Sequence, residues 1–244
     1  MTVLAQLKRE FTAFFFSPIA YVLLTVAAAV NGIIFLFLVD ALTNPMSPPG
    51  AVMQFFFTNI FFWAVLFVLT PLITMRTIAE ERHSGTIETL VTAPISDVQV
   101  VFAKYLASVA FFVVLWLPTA AFPLLLSRYT EIDLGPVLAG YLGTLCVGMM
   151  FLAIGVLCSA LTRSQIIAAL ISFAAIMVLF VLGIFDFLSE TEAPGSVLHY
   201  LNLWSHMEDF GRGIVDTRHL AYYGSVILFA LFAAVQAVQA RRWK

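Results

Sequence analysis

Of 244 residues, 62% are hydrophobic and only 11% are charged, and the mean hydropathy is +1.01. A chain of this size and composition has too little polar surface to dissolve as a globule, so lipid is its main solvent. The formal net charge of −2 and the absence of a basic run argue against a nucleic-acid partner.

A bilayer core about 30 Å thick is crossed by roughly 20 apolar residues in a helix. Tilted barrel strands alternate apolar and polar residues over about 10 positions, whereas residues 22–39 are apolar on every face, so the spans are helical. Before the first span, Leu4, Leu7, Phe11, Phe14 and Phe15 recur at three- and four-residue spacing with Lys8 and Glu10 off the stripe. This predicts an amphipathic helix lying in the membrane interface. Ser17 and Pro18 end it, because proline lacks a backbone donor and disfavours helix in the residue before it. Ala27, Ala28 and Ala29 mimic a signal-cleavage site, but the apolar run continues through Ile33, Phe35 and Leu38, so residues 19–39 are expected to be a retained span.

A Pro-rich loop (43–50) leads to a second span at 55–75. Asn31 in the first span, and Asn59 and Thr70 in the second, are candidates for a polar pathway or for hydrogen bonding within the bundle. The polar segment that follows is the most informative. Ser84 caps a short helix through Leu90 and Val91, Pro94 stops it, and Ser96 with Gln99 forms a capping box that opens the third span at 100–126. The short helix mixes Glu80, Glu81, Arg82 and Glu88 with Ile87, Leu90 and Val91. Such a surface suits docking on a soluble partner, and it also suits an ordinary solvated loop.

In the third span Pro118 and Pro123 are sites for bends. In the fourth, at 137–161, Gly140, Thr144 and Gly148 lie four residues apart and Gly155 with Ser159 repeats the spacing, so another helix approaches closely there. That partner is expected within the bundle, with a second copy as the alternative. Cys146 and Cys158 lie about 18 Å apart along this helix, beyond disulfide reach.

After the fifth span (166–185), residues 201–215 are expected to form an extracytoplasmic re-entrant or interfacial helix acting as a lid. Leu203, Met207, Phe210 and Ile214 form its apolar stripe, with Glu208, Asp209 and Arg212 opposite. A metal site here is not expected: His206 and Glu208 point about 200° apart, and His206 with Asp209 alone is a weak pair. The sixth span is 220–238.

Basic residues set the orientation. Lys8, Arg9, Arg76, Arg82, Lys104, Arg163, Arg241, Arg242 and Lys244 fall on one side, and only Arg128, Arg212 and Arg218 on the other. Both termini are therefore expected in the cytoplasm. No phosphate loop, HExxH, CxxC or GxSxG motif occurs, so no catalytic residue or cofactor is assigned to the chain. The spans also hold no deep Asp or Glu, which disfavours an ion-coupled carrier.

The stretch EERHSGTIETLVTAPISDVQVVFAKYLA resembles the hallmark of ABC-2 type exporter permeases, E-R-x-x-G-T-[IL]-E-x-L-x-x-x-P-[IV]-S ahead of the third span. The matching positions are Glu81, Arg82, Gly85, Thr86, Ile87, Glu88, Leu90, Pro94, Ile95 and Ser96, followed by Lys104. KREFTAFFFSPIAYV and LNLWSHMEDFGRGIVDTRHLAYY are similar to the GldF-like branch.

The resemblance implies an all-α permease occupying residues 1–244 as a single domain. It would have six transmembrane helices, an N-terminal amphipathic helix and a cytoplasmic coupling helix between spans two and three. The coupling helix would sit in a groove of a separate ABC ATPase, which binds the ATP and Mg. A second permease chain, identical or related, and a membrane-anchored extracytoplasmic accessory subunit complete the implied partners, in a bacterial cytoplasmic membrane. The competing classes are a channel or ion-coupled carrier, and a membrane anchor that transports nothing.

Overall fold

A computed structural model describes residues 3–42, 51–83, 96–188 and 200–240, with side chains over 6–42, 52–81, 96–183 and 200–240. The predicted coupling helix from Ser84, together with Gly85, Thr86, Ile87, Glu88, Leu90 and Pro94, lies outside the described residues. So does the Arg82 side chain.

The chain is all-helical over the described residues, and six helices are long and apolar enough to cross a membrane. Helix α1 (Val3–Phe16) is followed at Ser17 by α2 (Pro18–Leu42), with Pro18 at the first helical position, where its missing N–H costs nothing. The apolar face of α1 packs on α6 (Asp97–Trp116): Phe14 stacks on Phe111 at 5.0 Å and Phe15 meets the same ring edge-on at 5.8 Å.

The helix of the second span is not continuous over 55–75 but breaks at Asn59. Asn59 ends α3 (Ala51–Thr58) and opens α4 (Ile60–Thr74). Its amide Nδ2 donates to the Phe55 and Phe56 carbonyls at 3.0 and 2.8 Å, and its Oδ1 accepts from Phe62 N–H at 2.9 Å. One side chain thus satisfies backbone groups on both sides of the break, which an apolar environment demands. The third span opens on the expected capping box, with Ser96 and Gln99 bonded reciprocally at 3.3 Å. It is interrupted by a tight 3₁₀ turn at Leu117–Ala120, where Pro118 lies, before α7 (Ala121–Leu126).

Helix α8 (Leu134–Leu161) is the hub. It packs against α3, α4, α6, α9 (Gln165–Leu188), α10 (Leu203–Gly211) and α11 (Thr217–Gln239). Its small residues explain how so many neighbours fit. A methyl group on Gly140 would strike the Phe57 ring, on Gly148 the Phe112 ring, and on Gly155 the Thr74 hydroxyl. The stripe is therefore filled from within the chain. Cys146 and Cys158 are both free and buried on this helix.

Candidate functional site

At the end of the bundle that carries α1, the short helix α5 (Ala79–His83) follows α4 directly and leads into the segment singled out as a docking helix. Two contacts hold α5 in place. Ser159, near the end of α8, accepts hydrogen bonds from Ile78 N–H at 3.1 Å and Ala79 N–H at 3.0 Å, and its hydroxyl faces the Met75 carbonyl at 3.3 Å. Ser159 therefore works as a helix cap supplied from another helix, relieving amide donors that α5 cannot satisfy itself.

The second contact is ionic. Lys104 of α6, only 3% exposed, places Nζ 2.6 Å from Glu81 Oε1 and 3.0 Å from Glu10 Oε2. Glu10 also accepts from Arg9 at 2.9 Å. Burial by itself raises the Glu10 carboxyl, but the Lys104 charge and the hydrogen bonds from Arg9 and Lys104 outweigh it, holding the group below its ordinary value. One ammonium thus joins three helices: α1 through Glu10, α5 through Glu81 and α6 through its own backbone. Beside it, Arg76 donates to Ser17 Oγ at 3.0 Å and pairs with Glu80 at 3.1 Å, closing the corner between α1, α2 and α4.

These groups offer no nucleophile or acid–base pair aimed at a substrate. Their charges neutralise one another, and the arrangement is mechanical. Of the residues matched to the permease hallmark, Glu81 is described with its side chain, and it turns inward to Lys104. Glu10 carried no signal beyond lying off the apolar stripe of α1. Ser159 was legible only as a small residue four positions after Gly155.

At the far end α10 lies across the bundle. Leu203, Met207 and Phe210 are buried, and Phe210 presses so closely on α8 that a methyl group at Gly143 would come within 2.6 Å of its ring. Ile214 does not share their stripe. The helix stops at Gly211, Gly213 adopts φ +86°, and Ile214 is 53% exposed. Glycine takes that left-handed conformation at little cost, so the turn sits where the sequence allows it.

Glu208 and Arg212 form the expected i,i+4 pair. Asp209 instead reaches α11, 3.0 Å from His219 Nε2, and the His219 ring lies 3.9 Å from that of His206. Among the described residues no group of three His, Cys, Asp or Glu side chains is placed to hold a metal ion.

Six membrane-length apolar helices, one of them the largely buried hub, with a buried lysine-centred ion-pair cluster at the end that carries α1, define a polytopic α-helical membrane protein. Residues 37–208, over two thirds of the chain, match the family described as ABC-2 family transporter protein, and the chain belongs to that family. It is accordingly a multi-pass permease subunit of an ABC transporter, from a family whose members partner with an ABC ATPase. No curated protein matches the chain significantly.

Proposed function

We propose that the chain is the transmembrane subunit of an ATP-driven exporter, pairing with a second copy or a related permease on two separate ATPase subunits. The observation that carries this reading is the Glu81–Lys104 ion pair, which ties the segment just ahead of the docking helix to the third span. ATP-driven closure of the ATPases would push residues 82–92. The push would pass through α5 to α6 by way of Lys104, to α1 by way of Glu10 and to α8 by way of Ser159. Rotation of these helices would switch a cavity between inward and outward access. In this arrangement both termini and α5 face the cytoplasm of a bacterial cell, α10 is the lid at the outer face, and the energy enters through contacts.

The test is reconstitution with the cognate ATPase in proteoliposomes. Nucleotide hydrolysis that rises on assembly with the permease, and cargo movement that needs ATP, support the reading. Conduction without nucleotide would make the chain a channel. Assembly that leaves hydrolysis unaffected by the membrane or by cargo would make it an anchor.

A further inference from the structure

The third span consists of two helical pieces anchored to different neighbours. At the end that carries α1, Lys104 ties α6 to α1 and α5, and Phe111 packs on Phe14 and Phe15. At the far end Phe122 of α7 stacks on Phe35 of α2 at 4.3 Å and meets Phe56 of α3 edge-on at 5.5 Å. Any displacement of the α1 end of α6 that leaves Phe122 in place must be absorbed between the two anchors.

The α-helical ladder is interrupted there. Pro118 has no N–H for the Val114 carbonyl, and Pro123 has none for the Thr119 carbonyl. Leu117 N–H is shared between the Val113 and Val114 carbonyls, and Leu117–Ala120 tightens into the 3₁₀ turn. A 3₁₀ stretch flanked by prolines inside a longer helix bends more easily than a continuous ladder. A polar contact from α8 reaches onto the turn. The buried Thr119 hydroxyl donates to the Trp116 carbonyl at 2.7 Å and accepts from the Tyr141 hydroxyl at 3.2 Å, and the Tyr141 ring is held edge-on by Phe57 at 5.1 Å. Helix α8 also caps α5 through Ser159, so α6 and α8 both run from α5 to Thr119.

We propose that the Leu117–Ala120 turn is the hinge of the third span and that the Tyr141–Thr119 hydrogen bond is the catch that fixes its angle. Helix α6 swings on this turn from its α1 end while α7 stays with α2 and α3. The use of the swing in transport rests on the exporter reading, whereas the hinge belongs to the chain alone and is tested without the ATPase.

The full-length chain, with Cys146 and Cys158 replaced by Ala, is placed in lipid nanodiscs and carries spin labels on two alternative pairs of introduced cysteines. Val98 and Ile166 are exposed at the α1 end, on α6 and α9, and report the swing; Leu125 and Leu138 are exposed at the far end, on α7 and α8, and serve as the reference. Tyr141→Phe keeps the ring and removes the hydroxyl. It should broaden the Val98–Ile166 distances and shift their mean by about 5 Å, the travel of an arm roughly 30 Å long that bends by about 10°. Pro118→Ala with Pro123→Ala restores the missing donors and should narrow the same distribution, while the far-end pair keeps its distance throughout. Val98–Ile166 distances that are the same in the unmodified chain and both variants would overturn the hinge. So would a far-end pair that moves as much, because the span would then be tilting as one rod. With the cognate ATPase, ATP should shift the first pair and not the second, and the double proline variant should assemble but lose most of the stimulated hydrolysis. Full hydrolysis in that variant, once its distances have narrowed, would remove the hinge from the transport motion. An unmodified chain that stimulates no hydrolysis would count against the exporter reading and leave the hinge to be decided by the nanodisc distances.

Discussion

Glu81 and Lys104 are 23 positions apart in sequence, and their side chains meet at 2.6 Å. The pair bridges the whole polar segment between spans two and three, bringing the residue that begins the permease hallmark against the third span. Because Lys104 is shared with Glu10, the same contact reaches the amphipathic helix.

Lys104→Met leaves two mostly buried carboxylates without their shared cation. The expected cost is about 3 kcal/mol, since an acid stripped of its buried partner retains its desolvation penalty. Adding Glu10→Gln and Glu81→Gln to that variant should recover most of the loss, as read by thermal unfolding in detergent. The Glu10 contribution also has a defined pH sense. Its carboxyl sits below the ordinary value of 4.5, so its stabilisation is complete above that pH and is lost as pH falls through the lowered folded value. Glu10→Gln should remove that acid-side loss. A variant with the same acid limb as the unmodified chain would contradict the assignment.

Ser159→Ala withdraws the acceptor of two backbone donors, Ile78 N–H and Ala79 N–H. Both residues are buried, so about 1–3 kcal/mol should be lost. If α5 transmits the push of the ATPase, stimulated hydrolysis should fall more than thermal stability does. Unchanged coupling would confine Ser159 to a structural role.

Charge reversal at Arg82 and Glu88 tests the docking segment itself. Each desolvated charge removed from such an interface costs about 2–5 kcal/mol, enough to be plain in a co-purification. Wild-type complex yield and hydrolysis in the double reversal would move the ATPase contact elsewhere.

The far-end helix can be locked. Gly211 packs on α3 closely enough that its added Cβ would lie 3.3 Å from Thr58 Cγ2. Thr58→Cys with Gly211→Cys, in a background with Cys146 and Cys158 replaced by Ala, tethers α10 to α3. The oxidised tether should block transport and its reduction should restore it. Full transport with the tether closed would leave α10 as a static cover.

Orientation is tested by single cysteines at Ser96 and Tyr129, both exposed and at opposite ends of the third span. Ser96→Cys should react from the cytoplasmic side and Tyr129→Cys from outside, as the distribution of lysine and arginine requires. Reversed labelling would invert the topology and separate α5 from any cytoplasmic ATPase.

Six spans were legible in the linear order of residues because the requirement for them is local: a run of about 20 apolar residues suffices. The Ser96–Gln99 capping box was legible for the same reason, since both partners lie within one turn. The family hallmark could be read as well, being a contiguous string. Other features were ambiguous until the helices were packed. Asn59 suited a pathway or a structural bond equally well, and its capping of two helix ends depends on a backbone break that hydropathy does not register. Ile214 continued the stripe of α10 by spacing alone, whereas the left-handed turn at Gly213 takes it out of the helix. The burial of Lys104 was hidden altogether, because a lysine at the start of a span reads as an interfacial anchor until two carboxylates from distant helices converge on it. Local propensity and apolar length were written in the chain; which polar groups became partners, and which small residues became contact points, only the packing of one helix against another could decide.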